Sequence, residues 1–323
     1  MASTHRRTTP FLTQSGDEIA IAPSVHWRRW VVGALALGVF AWAASIVIFN
    51  ENIRWNRVWE YLFSQKILDG VVVTIWVSIA ATILGLVLGV ILAVMKLSKN
   101  PVLRVLAEGY IWFFRGTPVL VQLIFWFNLA FLLPFITLKI PFTQIGMRWD
   151  TNTLISGSVA ALLGLGLNLA AYFAETVRAG IQAVDRGQTE AALAGGMTSA
   201  QTMRLIVLPQ ALRIIIPPTG NEFISMLKTT SLIVVVAGND LMTNASQIYK
   251  QNNLIIELLI VASIWYMAMT AVATFLQSRL EKRFGQDRVR LVRGPSFSQT
   301  LIRMATGAIP TQRAASRTKE TVR

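Results

Sequence analysis

Residue types able to make or break covalent bonds are scarce in this sequence. It has no cysteine, which removes disulfides and thiolate metal sites, and its two histidines, His5 and His26, both precede the first apolar run. No G-x-x-x-x-G-K-[ST] phosphate loop occurs, so nothing here equips the chain to hydrolyse a nucleotide by itself. What remains is polar chemistry inside apolar runs, suited to binding and passing a solute rather than transforming it. Gly164, Asn168, Tyr172 and Glu175 recur at steps of four, four and three, which places them on one helical face. Asn221, Ser225, Lys228 and Ser231 recur at four, three and three, forming a second such face. An ionisable side chain inside a membrane span costs a few kcal/mol on insertion scales and faces a cavity or a partner. The two faces are therefore expected to form a polar seam lining a substrate path.

Glu175 and Lys228 are not expected to neutralise each other. At about 1.5 Å per helical residue, Glu175 lies roughly 31 Å along its helix from Leu154, close to a membrane surface, whereas Lys228 lies roughly 16 Å in from Pro217. Arg178, three residues on, offers Glu175 a structural partner. Lys228 has no counter-ion in its own turn, which leaves its charge to a substrate carboxylate, a second subunit or a snorkelling position.

The elements that must position these residues are membrane spans. Only 14% of the 323 residues are charged, 54% are hydrophobic, and the mean hydropathy is +0.53. Uncharged runs at 31–49, 70–95, 116–138, 151–174 and 258–278 are near or above the roughly 20 residues needed to cross a bilayer. A sixth span is expected after Pro217-Pro218, ending near Asn239. The first run starts thirty residues in and lacks a small-residue cleavage site, so it reads as a retained anchor. Asn100-Pro101 opens an interfacial helix with Arg104 and Glu108 on one face, and Arg115-Gly116-Thr117-Pro118 marks its bend into the third span. The fold class is thus all-α, polytopic, with six transmembrane helices. Residues 1–30 and 285–323 are tails of mixed composition, 31–49 an extra span, and 70–284 the working body.

Orientation follows from Lys and Arg. Of the 30, 22 fall in residues 1–30, 96–104, 176–213 and 279–323, against six in the alternate loops 51–69, 134–153 and 238–254. Both termini are expected in the cytoplasm. The net charge of +14 does not imply nucleic acid, because most of the excess flanks spans and the basic C-terminal tail suits anionic lipid headgroups.

Between the fourth and sixth-candidate spans, residues 189–209 then face the cytoplasm. Thr189 caps a helix starting at Glu190, and Gly195-Gly196 stops it. Thr198 with Gln201 makes a capping box for a second helix, which Pro209 ends. So small a unit cannot be a domain and is expected to dock another protein.

The spacing E-A-A, three residues, Gly196, nine residues, Ile206, one residue, Leu208-Pro209 resembles the EAA loop of ABC importer permeases. WFFRGTPVLVQL (112–123), AAYFAETVRAGIQAV (170–184) and VLPQALRIIIPPTGNEFISMLKTTSL (207–232) are similar to the polar amino acid branch, whose substrates include His, Glu, Gln, Arg and opines. The resemblance covers about 70–280 and implies a type I, five-helix permease core, here preceded by an additional span, in a bacterial inner membrane. It further implies a cytoplasmic ATPase dimer that carries the ATP and Mg, a second permease subunit, identical or sibling, and an extracytoplasmic substrate-binding protein. Glu190, Ala191, Ala192, Gly196, Ile206, Leu208 and Pro209 would then contact the ATPase. No cofactor is expected in this chain. A stand-alone secondary transporter or channel would instead show inverted repeats and charge relays within spans, and neither is visible.

Overall fold

The computed structural model describes residues 27–139 and 146–284. The tails expected at 1–26 and 285–323 lie outside the described residues. Two units divide the chain, one holding residues 1–50 with 289–323 and the other 51–288. In the first, the described element is helix α1, Trp27–Ile48, whose apolar side chains, Leu37, Phe40 and Trp42 among them, are exposed.

The second unit opens with α2 (Trp55–Leu62) and α3 (Gln65–Leu97). Next come α4 (Pro101–Gly116), α5 (Val119–Phe127) and α6 (Leu129–Leu132). A hairpin of β1 (Phe135–Lys139) and β2 (Gly146–Asp150), paired antiparallel with Phe135 opposite Asp150, leads to α7 (Thr151–Leu154) and α8 (Gly157–Gln182). Then α9 (Arg186–Ala194), α10 (Ser199–Thr202), a π-helical turn Met203–Val207, α11 (Leu208–Thr229) and a 3-10 stretch Thr230–Val236 follow. The unit closes with α12 (Leu241–Asn252) and α13 (Ile255–Phe284).

Among the described residues, three helices are long and apolar enough to cross a membrane: Gln65–Leu97, Gly157–Gln182 and Ile255–Arg283. Two bent pairs qualify jointly, Pro101–Gly116 with Val119–Phe127 at 99°, and Ser199–Val236 with Leu241–Asn252 at 47°, while Trp30–Ile46 is a shorter apolar helix. Up to five of the six expected spans are thus met, with altered bounds, while the run at 31–49 falls on the shorter apolar helix.

The third run departs most. Pro118, without an N–H, breaks the helix between α4 and α5, as expected at 115–118. Its far end, however, pairs as β1 instead of continuing as helix, consistent with the β-branched Ile136 and Thr137 after Pro134. Residues 151–154 likewise form a separate turn capped by Asp150, and Ser156 caps the true span, α8. Pro217 and Pro218 do not delimit the last-but-one span, because they lie inside α11. Proline φ is compatible with a helix even where its missing N–H weakens it, and neighbouring helices hold this one. Gln277 of α13 donates from Nε2 to Pro217 O at 3.2 Å and to Asn221 Oδ1 at 2.9 Å.

Contacts sort the helix ends into two groups. At one end, Leu241 N donates to Thr74 Oγ1 at 3.0 Å and Asn244 Nδ2 to Lys66 O at 2.7 Å, so α12 lies over the start of α3. At the other, Lys96 of α3 meets Glu175 of α8 at 2.6 Å. The centre is the α3–α8 pair, which meets on small residues. A Cβ on Gly89 would fall 2.5 Å from Phe173 Cβ, and one on Gly166 would fall 2.6 Å from Leu84 Cδ2. Close backbone approach of this kind is how helices associate where lipid supplies no hydrophobic drive.

Candidate functional site

Two features combine exposure with ordered polar geometry. The first is the turn that joins α8 to α11. Here α9 begins earlier than expected: Asp185 is the cap, its Oδ1 accepting from Gly187 N at 2.8 Å, so Thr189 and Glu190 lie within the helix. Asp and Thr are both good capping residues, and the cap falls at Asp185, whose backbone is non-helical at φ −57° and ψ 128°, while Thr189 is already helical. The C-terminus ends as Gly195-Gly196 predicts. Gly196 N bonds Leu193 O at 3.0 Å, Met197 N bonds Ala192 O at 3.1 Å, and Gly196 has φ +83°. That is a Schellman closure with glycine at its left-handed position. Thr198 Oγ1 then accepts from Gln201 N at 3.3 Å while Gln201 Oε1 accepts from Thr198 N at 2.9 Å, the expected capping box.

Pro209 does not end the second helix. The chain passes from α10 through the π turn into α11, with Pro209 in the first turn of α11. A proline ring clashes with the carbonyl four residues back in a regular helix, and the wider π turn relieves that clash. Gln210 Nε2 also supports the turn by donating to Ile206 O at 3.0 Å. Glu190, Ala191, Gly196, Leu208 and Pro209 are exposed and Ala192 and Ile206 half-buried, spread over α9, its glycine turn, the π turn and the start of α11.

The second feature is a cavity of about 650 Å³ bounded by the α4–α5 bend, α8 and α11. Of the predicted seam, Asn168, Tyr172 and Ser225 line it. Arg115, Thr117, Glu222 and Thr229 join them, and among these Arg115 and Glu222 are opposite charges that make no ion pair with each other. The Arg115 guanidinium carbon lies 5.3 Å from the Tyr172 ring centroid, a cation–π distance. Asn168 Nδ2 donates to Phe114 O at 2.8 Å and Gln122 Nε2 to Thr117 Oγ1 at 2.7 Å, so the bend is fixed by side chains reaching backbone and hydroxyl oxygens.

The remaining seam residues go elsewhere. Asn221 accepts from Gln277, and Lys228 is exposed without an ion pair among the described residues. On a 100° pitch both point well off the face of Glu222, Ser225 and Thr229. Ser231 falls in the 3-10 stretch, whose tighter turn re-aims side chains. Glu175 faces α3, bonded to Lys96 and Arg178. The sequence reading did not place Arg115 or Glu222 in the path, although Glu222 is an ionisable residue inside an expected span and Arg115 borders another.

A bundle of membrane-length helices around a small polar cavity, with a capped helical turn at one end, defines a membrane transport subunit. The chain belongs to the family of binding-protein-dependent transport system inner membrane components, whose pattern matches residues 85–286. It is a multi-pass transport permease subunit of that ABC importer family. It is similar to the arginine transport system permease protein ArgU of Corynebacterium glutamicum, 42% identical over 300 residues and 92% of each chain. The probable glutamine ABC transporter permease protein GlnM of Bacillus subtilis is 34% identical over 67% of this chain and 94% of its own. Among solved structures, an amino acid ABC transporter crystallised with histidines matches with a TM-score of 0.58 at 35% identity, covering 68% of this chain and 94% of that one. The MetNI methionine transporter, at 18% identity and a TM-score of 0.53 over 69% of this chain and 96% of that one, shares the fold.

Proposed function

We propose that this chain imports polar amino acids as the permease half of an ATP-driven complex. Its partners are a cytoplasmic ATPase dimer that holds ATP and Mg, a second permease subunit and an extracytoplasmic substrate-binding protein. The α9 turn, through Glu190, Ala191, Ala192 and Gly196, with Ile206, Leu208 and Pro209 behind it, seats on the ATPase. Both termini lie in the cytoplasm, and the basic C-terminal tail associates with anionic lipid. The names of the relatives support an amino acid cargo.

The observation that carries the cargo reading is the cavity. It offers one guanidinium, Arg115, and one carboxylate, Glu222, on different elements and not bonded to each other. A zwitterion presents the complementary pair. Its carboxylate suits the planar fork of Arg115, and its ammonium, or a basic side chain, suits Glu222. A volume of about 650 Å³ lies in the range of small-molecule sites. Asn168, Tyr172 and Ser225 add hydrogen-bonding groups along the same wall.

Proteoliposomes holding the full complex test this with a panel of labelled amino acids. Glu222→Gln keeps the volume and removes the charge. A charge-assisted hydrogen bond is worth about 1.5–3 kcal/mol, so uptake efficiency for cationic amino acids should fall about tenfold or more. Unchanged selectivity and kinetics in that variant would remove Glu222 from the path.

A further inference from the structure

The ends of α3 and α8 that lie nearest the α9 turn are tied by an ion pair spanning 79 residues of sequence. Lys96, in the last turn of α3, donates from Nζ to Glu175 Oε1 at 2.6 Å. The second oxygen, Oε2, accepts from Arg178 Nε at 2.9 Å and Nη2 at 2.7 Å. Arg178 in turn donates from Nη1 to Gln182 Oε1, one turn closer to α9. The Lys96, Glu175 and Arg178 side chains are 22%, 20% and 29% exposed, so solvent screens them less than an open surface pair. One carboxylate is therefore held from two directions, across to α3 and along α8.

Its position relative to the apolar packing gives the tie a role beyond adhesion. Towards the membrane interior, α3 and α8 are already pressed together at Gly89 and Phe173. Towards the turn, α8 is locked to α11: a Cβ on Gly180 would fall 2.3 Å from Ile215 Cγ1. Val177, Val184, Val207, Ala211 and Ile215 share one buried cluster there with Ala93 of α3. The α9 turn thus enters from α8 and exits into α11, two helices that must move together. Lys96 is the charged link from that pair to α3, at the last turn before α3 ends.

We propose that Lys96, Glu175 and Arg178 form a coupling clamp that carries displacement of the α9 turn to α3. They are positioning residues: none of them lines the cavity, and they fix the register of α3 against α8 while the turn is pushed or pulled. The clamp rests on the reading of the α9 turn as the ATPase contact. An ion pair is well suited to this, because charge-assisted hydrogen bonds are strong and directional.

The test uses the assembled importer in proteoliposomes, with uptake and ATP hydrolysis measured on the same preparation. Lys96→Met cuts the link to α3 and leaves the Glu175–Arg178 arm in place. Lys96→Arg keeps the charge. The clamp predicts that the Lys96→Met complex assembles and hydrolyses ATP but moves about tenfold less amino acid per ATP, within the usual range of coupling effects, and that Lys96→Arg restores the ratio. A ratio unchanged in Lys96→Met, uptake and hydrolysis falling in proportion, or failure to assemble would each overturn the proposal. Gly196→Val, run in parallel, separates the two readings: a normal ratio there removes the coupling role of the turn itself, whereas uncoupling by Gly196→Val without uncoupling by Lys96→Met removes the clamp alone.

Discussion

Gly196 sits where the α9 turn is least tolerant of change. Its φ of +83° closes a Schellman turn, and a β-branched residue strains that backbone by about 1–3 kcal/mol. No atom crowds a Cβ at this position, so the cost of Gly196→Val is conformational and confined to the turn. The variant is expected to insert in the membrane at normal levels while ATP-driven uptake falls, and quantitative membrane blotting beside uptake checks both halves. Normal uptake would dissociate the turn's geometry from its role. At this scale the sequence was informative for several local interactions, although it placed the cap of α9 at Thr189 and not at Asp185. Asn100 bonding Val102 N, Arg104 pairing with Glu108, the Thr198–Gln201 box and the glycine turn all span five residues or fewer. Lys96 with Glu175 was invisible for the opposite reason, since nothing in the spacing of residues 79 apart says that two helix ends meet.

At the scale of elements, α3 and α8 define the core, and their glycines set how closely they pack. Gly89→Val would drive a side chain into Phe173 and the Ala170 carbonyl oxygen, 3.0 Å from the new Cβ. Overpacking typically costs about 1–3 kcal/mol, so a lowered melting temperature of the purified protein is expected. Gly109→Val, with nothing within 4 Å of its Cβ, serves as the control and should leave melting nearly unchanged. If the two melt alike, the pair is looser than its geometry implies. Hydropathy located the spans but not their interruptions. Pro118 was readable as a bend because Arg115, Gly116 and Thr117 precede it, whereas Pro209 misled because the π turn that accommodates it has no sequence signature. Strand β1 was lost because its first residues continue the apolar run 116–138, and helix α12 because it lies inside a segment read as a loop.

For residues 51–284, the described helix ends fall into two sets. Lys96 and the α9 turn lie at one end, while α12 and the start of α3 lie at the other. On the proposed orientation, in which the side richer in Lys and Arg by 22 to 6 is cytoplasmic, the first set faces the cytoplasm. A reporter active only in the cytoplasm should therefore give signal when fused after Arg323 and when fused before Met1. A dark N-terminal fusion beside a bright C-terminal one would remove Trp27–Ile48 from the count of crossings.

Transport through this chain is proposed to require engagement of its α9 turn by an ATP-hydrolysing partner. The most direct measurement is uptake of labelled arginine and glutamine into proteoliposomes that contain this chain with its permease and ATPase partners, supplied with the binding protein outside and ATP inside. Concentrative uptake that needs both ATP and the ATPase, and that is lost in Gly196→Val, is the predicted result. Equal uptake by this chain without the ATPase would contradict it and indicate a transporter that works alone.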